Sequence, residues 1–576
     1  MFLTSTYVRL RRSFGLVDVL VLAAGAALLA GLLDVAREWG GVLRPQVEID
    51  LSPFALPRYA FFSLVRGFTA YALSLAFTLA YGYTAAYRPR AEKVLLPLLD
   101  ILQSIPVLGF LPGLVLALVA LFPGSNIGLE LAAVLMIFTG QAWNMTFSFY
   151  NSLRAIPPDL REASRVYRFG RWQRVTRLEL PYAAMGLVWN SMMSMAGGWF
   201  FLMINEAFVL GDHDFRLPGI GSYMSVAVHR GDVPAMVFAI VAMTLMIIAV
   251  DQLFWRPIVA WAQKFTLDET GRSEEVHSFV LDLLRRSRLL DALHWRVVAP
   301  AGRALERRRR RAALIAAPVA PQRIHPHLRR GVSLLAGVLA LAGVFFGAVK
   351  LVILLAGVGW TEWGTLAFAL GCTGLRVAAA VTLGTVIMIP LGVAIGRNPR
   401  LSRILQPVVQ IAASFPAPML FPLVILALAG AGIGIQTGAV LLMLLGTQWY
   451  ILFNVIAAAM ALPEALFEAG AVFRVGRWKQ WTTLILPGIF PGLVTGWVTA
   501  TGGAWNASIV AEYVHFGDRV LVATGLGSAI TTATDRGDFG ALAAGVVLMA
   551  CSVVLLNRFF WRRLYRLAEN RYSLQG

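Results

Sequence analysis

Two glutamates at matched spacing are the first residues that invite a chemical reading. Glu162-Ala163-Ser164 is followed by Leu180-Pro181, and Glu468-Ala469-Gly470 by Leu486-Pro487, with nineteen residues from glutamate to proline each time. Pro158 and Pro463 stand where a helix can start, since the missing N–H would be unpaired in a first turn anyway. Steps of three and four then place Leu160, Ala163 and Tyr167 on one face of the first helix, and Leu466, Ala469 and Phe473 on one face of the second. The small residues at 163–164 and 469–470 would let each helix approach another surface closely. This is docking chemistry rather than bond making. An amphipathic helix presented twice asks for a dimeric soluble partner.

Glu206 and Glu512 occupy matching positions near the outer ends of apolar stretches. An ionised group inside a membrane costs about 2.5–3.5 kcal/mol, so each is a functional candidate, or else a structural hydrogen-bonding group near the interface. Two carboxylates would repel an anion, which assigns them to a gate or scaffold rather than to substrate. Gln141, Asn144, Trp199, Gln448, Trp505 and Asn506 are neutral donors that either face a path or pack between helices. Asp100 and Lys350 have no charged counterpart and read as packing or interfacial snorkelling. Catalytic parts are missing: there is no phosphate-cradling loop with Lys-Ser/Thr. The seven histidines show no metal-ligand spacing, and His213, between Asp212 and Asp214, reads as an external contact or a solvated loop. We expect no catalytic residue, metal or cofactor in this chain.

The elements that carry these residues are membrane spans. The 576 residues are 58% hydrophobic and only 14% charged, with a mean hydropathy of +0.70; soluble proteins carry about 25% charge. Two cysteines exclude a disulfide scaffold, and Cys372 and Cys551 fall inside spans as structural thiols. Stretches long enough to cross a bilayer fall near 17–33, 59–86, 94–121, 127–152, 180–210 and 234–256, then near 333–356, 367–396, 404–428, 433–460, 485–510 and 539–560. Prolines break 94–121 and 404–428. The first span follows a basic segment but has no persuasive cleavage site, so it reads as a retained helix rather than a signal peptide. Basic residues gather at Arg9, Arg11 and Arg12, at Arg88, Arg90 and Lys93, at Arg397, Arg400 and Arg403, and in 153–179, while alternate loops are neutral to acidic. That is the positive-inside pattern, with both termini cytoplasmic.

The chain also repeats itself. A step of 310 takes Arg66 to Arg376, Pro97 to Pro407 and Pro112 to Pro422. After four residues are lost, a step of 306 takes Gly140 to Gly446, Trp143 to Trp449, Gly170-Arg171-Trp172 to Gly476-Arg477-Trp478, Trp199 to Trp505, and Glu206 to Glu512. Six spans per unit keep the same orientation, so the repeat is parallel, about an axis along the membrane normal. We divide the chain into a first repeat (1–260), a linker (261–331) and a second repeat (332–576). From Lys264 to Arg330 the linker holds 15 Lys+Arg against 7 Asp+Glu. Without aromatic or base-reading residues around the run, it reads as held near anionic membrane lipid rather than nucleic acid. Phe279, Val280, Leu283, Leu284, Leu290 and Leu293 approximate an apolar stripe, either interfacial or packed on neighbours.

The doubled Glu-Ala…Leu-Pro loop resembles the EAA loop of binding-protein-dependent ABC importer permeases of the type I fold. The resemblance covers the last five spans of each half. It implies an all-α polytopic membrane protein of about 12 transmembrane helices in two parallel six-helix repeats, in a bacterial inner membrane. It further implies a dimer of ABC ATPase subunits, which hold the ATP and Mg, and an extracytoplasmic solute-binding protein. The implied docking positions are Leu160, Glu162, Ala163, Ser164, Tyr167, Gly170, Leu466, Glu468, Ala469, Gly470, Phe473 and Gly476. Gly usually stands six residues after the glutamate in that family; Arg168 and Arg474 stand there here, which suggests a displaced bend. Gly197-Gly198-Trp199…Glu206 and Gly502-Gly503-Ala504-Trp505…Glu512, with Gly219-Ile220-Gly221 and Gly525-Leu526-Gly527, resemble the nitrate/sulfonate/taurine/bicarbonate branch, in a duplicated and fused form. An ion-gradient-driven secondary transporter also suits twelve spans in two halves; the near-absence of paired intramembrane charges argues against it.

Overall fold

The computed structural model describes residues 15–43, 47–104, 107–210, 213–265, 278–293, 345–517 and 519–572, with short stretches between 295 and 343. Among these, nine helices are long and apolar enough to cross a membrane, or ten if one bent pair counts as a span. The expected count of 12 is therefore not reached among the described residues. Two reasons are physical. Residues 94–121 do not form one rod: Pro89–Ser104 ends, a 3-10 turn follows at Val107–Phe110, and Leu111–Leu121 is too short to cross alone. In the second half, Pro399–Ser414 and Ala417–Gly430 meet at 82°. Phe415 is extended there because Pro416 disfavours helical backbone in the residue before it. A third reason is coverage. Only part of the 333–356 stretch is described, as a shorter apolar helix Phe345–Ala356. The N-terminal arginines and much of the linker, Arg307 to Arg311 included, lie outside the described residues.

Each half is built on three long helices packed side by side. These are Leu56–Tyr87, Ile127–Arg154 and Leu180–Asn205 in the first, and Trp360–Arg397, Ile435–Met460 and Leu486–Ala511 in the second. The halves are intertwined: Leu180–Asn205 packs on Pro399–Ser414 of the other half, and Leu486–Ala511 on the turn at Val107–Phe110. One apolar core accordingly runs through both, including Trp199, Tyr223, Trp505 and Ile530.

Wide helical turns recur at matching places, Val175–Glu179 with Trp481–Ile485 and Asp251–Trp255 with Asn557–Trp561. In each, the following amide reaches back five residues, as Leu180 N–H does to the Val175 carbonyl. Pro181, Pro487 and Pro257 follow three of the four. Their rings crowd the carbonyl four residues back and remove a donor, which favours the wider turn. The fourth keeps it without proline.

The first of the two fifth spans ends sooner than expected, at Asn205, while the second ends at Ala511, where it was expected; an antiparallel hairpin follows each. In the first, β1 (Ala207–Leu210) pairs with β2 (His213–Arg216), and Phe208 stacks on Phe215. In the second, β3 (Tyr513–Phe516) pairs with β4 (Arg519–Val522). The two hairpins are closed alike, by Leu217 N–H donating to the Glu206 carbonyl at 2.9 Å and Ala523 N–H to the Glu512 carbonyl at 2.8 Å.

Candidate functional site: two short exposed helices, a shared cavity and a pair of buried networks

The doubled glutamates lie on short helices, Pro158–Val166 and Glu464–Val472. Both terminate in the same way. Phe169 N–H donates to the Ser164 carbonyl and Arg168 N–H to the Arg165 carbonyl; Val475 N–H donates to Gly470 and Arg474 N–H to Ala471. These are Schellman closures, which place the residue after the cap in left-handed backbone. That residue is Arg168 at φ 49° in one half and Arg474 at φ 52° in the other, the only described non-glycine residues with positive φ. A side chain there costs about 1–2 kcal/mol that glycine avoids. The bend expected to shift to Gly170 and Gly476 has not moved; the arginines hold it.

Which residues each helix offers outward also differs from the periodicity. Leu160 and Leu466 are half-buried, and Ser164 and Gly470 are buried against the chain itself. A Cβ at Gly470 would touch Leu484 at 3.4 Å, so the small residue there serves internal packing. Arg161 ties the first helix down by donating to the Leu153 carbonyl at 2.7 Å. In the second half the Arg397 guanidinium sits 3.5 Å over the Phe467 ring. Glu162, Glu468, Ala469, Gly170 and Gly476 are exposed and Ala163 is intermediate. The most outward apolar groups are Val166 and Tyr167 (74% and 75% exposed) and Val472 and Phe473 (79% and 80%). Trp172 and Trp478 join them.

Between the halves lies a cavity of about 200 Å³. Two-fold pairs line it, Gly140 with Gly446, Trp143 with Trp449, and Gly197 with Gly503. Asn144, Trp505 and Asn506 are there as well; Gln141, Trp199 and Gln448 are not. Gln141 is buried between helices, accepting from Ser74 Oγ at 3.4 Å. Trp199 covers Gly67, where a Cβ would meet its ring at 3.0 Å. Gln448 is half-buried beside Gly384. Asn506 joins the halves, its Oδ1 accepting from Val107 N–H at 3.0 Å. Among the described residues, no charged side chain lines the cavity.

Glu206 and Glu512 sit away from it, each in a buried network that the sequence reading missed. In the first half, Arg66 donates through Nε and Nη2 to Glu130, at 2.5 and 2.8 Å, and through Nη1 to Glu206 at 2.7 Å. Arg66 is fully buried and both carboxylates are 1% exposed. Ser63 Oγ and Gly221 N–H complete the shell of Glu206, each at 2.7 Å. In the second half Arg376 Nη1 reaches Glu512 at 2.8 Å, with Thr373 and Gly527 N–H replacing Ser63 and Gly221. Gln436 stands where Glu130 was, accepting from Arg376 Nη2. The expectation of almost no paired intramembrane charges is thus overturned. One signal was in the sequence: a span-interior arginine recurs at the 310 step. Its acidic partners lie 64 and 140 residues away, beyond any local pattern. Gly221 and Gly527 are required by close approach, since a Cβ at Gly221 would lie 2.7 Å from the Met203 carbonyl.

With this geometry in place, comparison with known proteins gives consistent results. Residues 73–254 and 388–573 each match the family described as binding-protein-dependent transport system inner membrane component, together more than half of the chain. The chain is 28% identical over 213 residues to the taurine transport system permease protein of Escherichia coli, covering 37% of this chain and 70% of that one. It is 29% identical over 155 residues to the bicarbonate transport system permease protein of Synechocystis, covering 27% of this chain and 52% of the relative. A riboflavin transport system permease protein of Chloroflexus aurantiacus is 34% identical over 130 residues, 22% of this chain and 47% of that protein.

Proposed function

The chain belongs to the inner membrane components of binding-protein-dependent transport systems, with the family segment present twice, and from this we propose that it supplies both permease halves of an ATP-driven importer for a small anion. In this reading two separate ATPase subunits, which carry ATP and Mg, dock on Pro158–Val166 and Glu464–Val472. An extracytoplasmic binding protein delivers the solute. Both termini lie in the cytoplasm of a bacterial cell. Closure of the ATPase dimer pulls the two docking helices together, and the cavity between the halves opens alternately to each side. The chain itself does no covalent chemistry.

One observation carries the reading: two helices, one per half, close with the same Schellman geometry and hold out the same apolar and aromatic residues. A helix meant only to pack would not leave Tyr167 and Phe473 in water. The buried charges favour this reading over an ion-gradient carrier. Glu206 is occupied by Arg66, Ser63 and Gly221, and Glu512 by Arg376, Thr373 and Gly527. A proton relay needs a carboxylate with room to exchange partners. The anion assignment rests on the substrates for which the taurine and bicarbonate relatives are named and on a cavity with no anionic side chain among the described residues.

The test is charge reversal on the docking helices. Replacing Glu162→Lys and Glu468→Lys together is expected to abolish co-purification of the ATPase subunits and solute-stimulated ATP hydrolysis while the permease still folds. Survival of both would overturn the docking assignment.

A further inference from the structure

We propose that Arg168 and Arg474 are direct contacts to the ATPase subunits, and that each subunit presents a carboxylate to the guanidinium it receives. The inference rests on the docking reading above and adds to it the chemistry of the partner's surface.

Both arginines occupy left-handed backbone, at φ 49° and 52°. Glycine would adopt that conformation without strain, and the Schellman hydrogen bonds that demand it are made by backbone alone. Nothing in the fold therefore asks for a side chain at either position. Nor does the fold use the ones present: both arginines are exposed, and among the described residues neither guanidinium has a hydrogen-bond or ion-pair partner. The same strained choice is kept in both halves, although the residues on either side of it, Tyr167 and Phe169 against Phe473 and Val475, have diverged.

The surroundings identify the partner's chemistry. Each arginine follows an outward aromatic ring, Tyr167 or Phe473, and precedes a second by four residues, Trp172 or Trp478. Arginine between aromatic side chains is the composition that dominates protein interfaces. A guanidinium matches a carboxylate bidentately, and the first loop, residues 153–179, carries seven arginines against three acidic residues. The group that meets each guanidinium is a carboxylate.

The experiment uses the full-length chain with the ATPase subunits that co-purify with it from its native host. Arg168→Lys/Arg474→Lys puts an amine where a water-soluble carbodiimide can join it to a carboxylate, forming an amide with loss of water. We expect cross-links from residues 168 and 474 to Asp or Glu of the ATPase subunits. In parallel, Arg168→Gly/Arg474→Gly should melt no lower than wild type, because strain is removed, yet bind the ATPase about tenfold more weakly with a shallower salt dependence. Wild-type affinity in the glycine variant, or cross-links at neither position while the ATPase still binds, would overturn the inference and leave the docking reading standing. A wild-type chain that binds no ATPase subunit would overturn both.

Discussion

Arg66 holds two carboxylates, Glu130 and Glu206, in a place from which water is excluded. Removing the guanidinium leaves both acids buried without a cation, and breaking a buried pair in this way costs about 3–5 kcal/mol. Arg376 neutralises one carboxylate only, because Gln436 has replaced the second. Arg66→Met should therefore lower the thermal unfolding temperature of the purified permease more than Arg376→Met does, and Arg66→Met with Glu130→Gln should recover part of the loss. Equal losses in the two single variants would contradict the difference in charge between the networks. The two anchors show why residue-scale function was only half legible. Glu206 and Glu512 could be found as acids in apolar sequence. That their carboxylates are saturated by buried partners became visible only once residues more than a hundred positions apart were brought together.

At the scale of elements, the prolines, which act locally, and the constant repeat step, which doubles every local signal, made the long helices and the two short Glu-Ala helices readable. The hairpins were not readable. β1 begins Ala207-Phe208-Val209-Leu210, an apolar run that simply lengthens the preceding span; hydrophobicity alone cannot tell four strand residues from another turn of helix. What separates them is Glu206, whose backbone carbonyl closes the hairpin while its side chain caps the chain at Gly221. The short helix Ile220–His229 starts against that carboxylate, and Leu526–Asp535 starts against the carboxylate of Glu512 in the same way. Gly221→Ala should destabilise the protein by about 1–3 kcal/mol through overpacking, because its Cβ meets the backbone carbonyl of Met203 rather than a side chain that can move. Gly113→Ala, with nothing within 4 Å of the added carbon, is the control expected to be neutral or slightly stabilising. Thermal unfolding of the two variants side by side reads the difference.

On the scale of the whole molecule, the halves meet at a cavity and at a seam formed by the hairpins. Gly517 N–H donates across the seam to the Val228 carbonyl at 3.0 Å, and the rings of His229 and His515 lie 5.4 Å apart. Partial burial, the neighbouring His515 and Arg216 all depress the affinity of His229 for a proton, with Asp214 opposing. The unfolded chain then takes up the proton first, so the contribution of this contact is complete above the ordinary histidine value of about 6.5 and is lost as pH falls below it. Acidification through that range should lower the unfolding temperature of wild type more than that of His229→Gln; parallel curves would remove the histidine pair from the account. The seam, like the cavity, was legible only as a consequence of duplication: sequence told that two like halves exist, and packing told what they enclose. The central proposal is that this duplicated chain moves solute only when ATPase subunits docked on Pro158–Val166 and Glu464–Val472 hydrolyse ATP. The measurement that tests it most directly is uptake of a panel of small anions into proteoliposomes holding the purified chain, with and without its ATPase subunits, binding protein and ATP. Accumulation is predicted only in the complete, ATP-fuelled assembly. Accumulation by the chain alone, driven by an ion gradient, would contradict it.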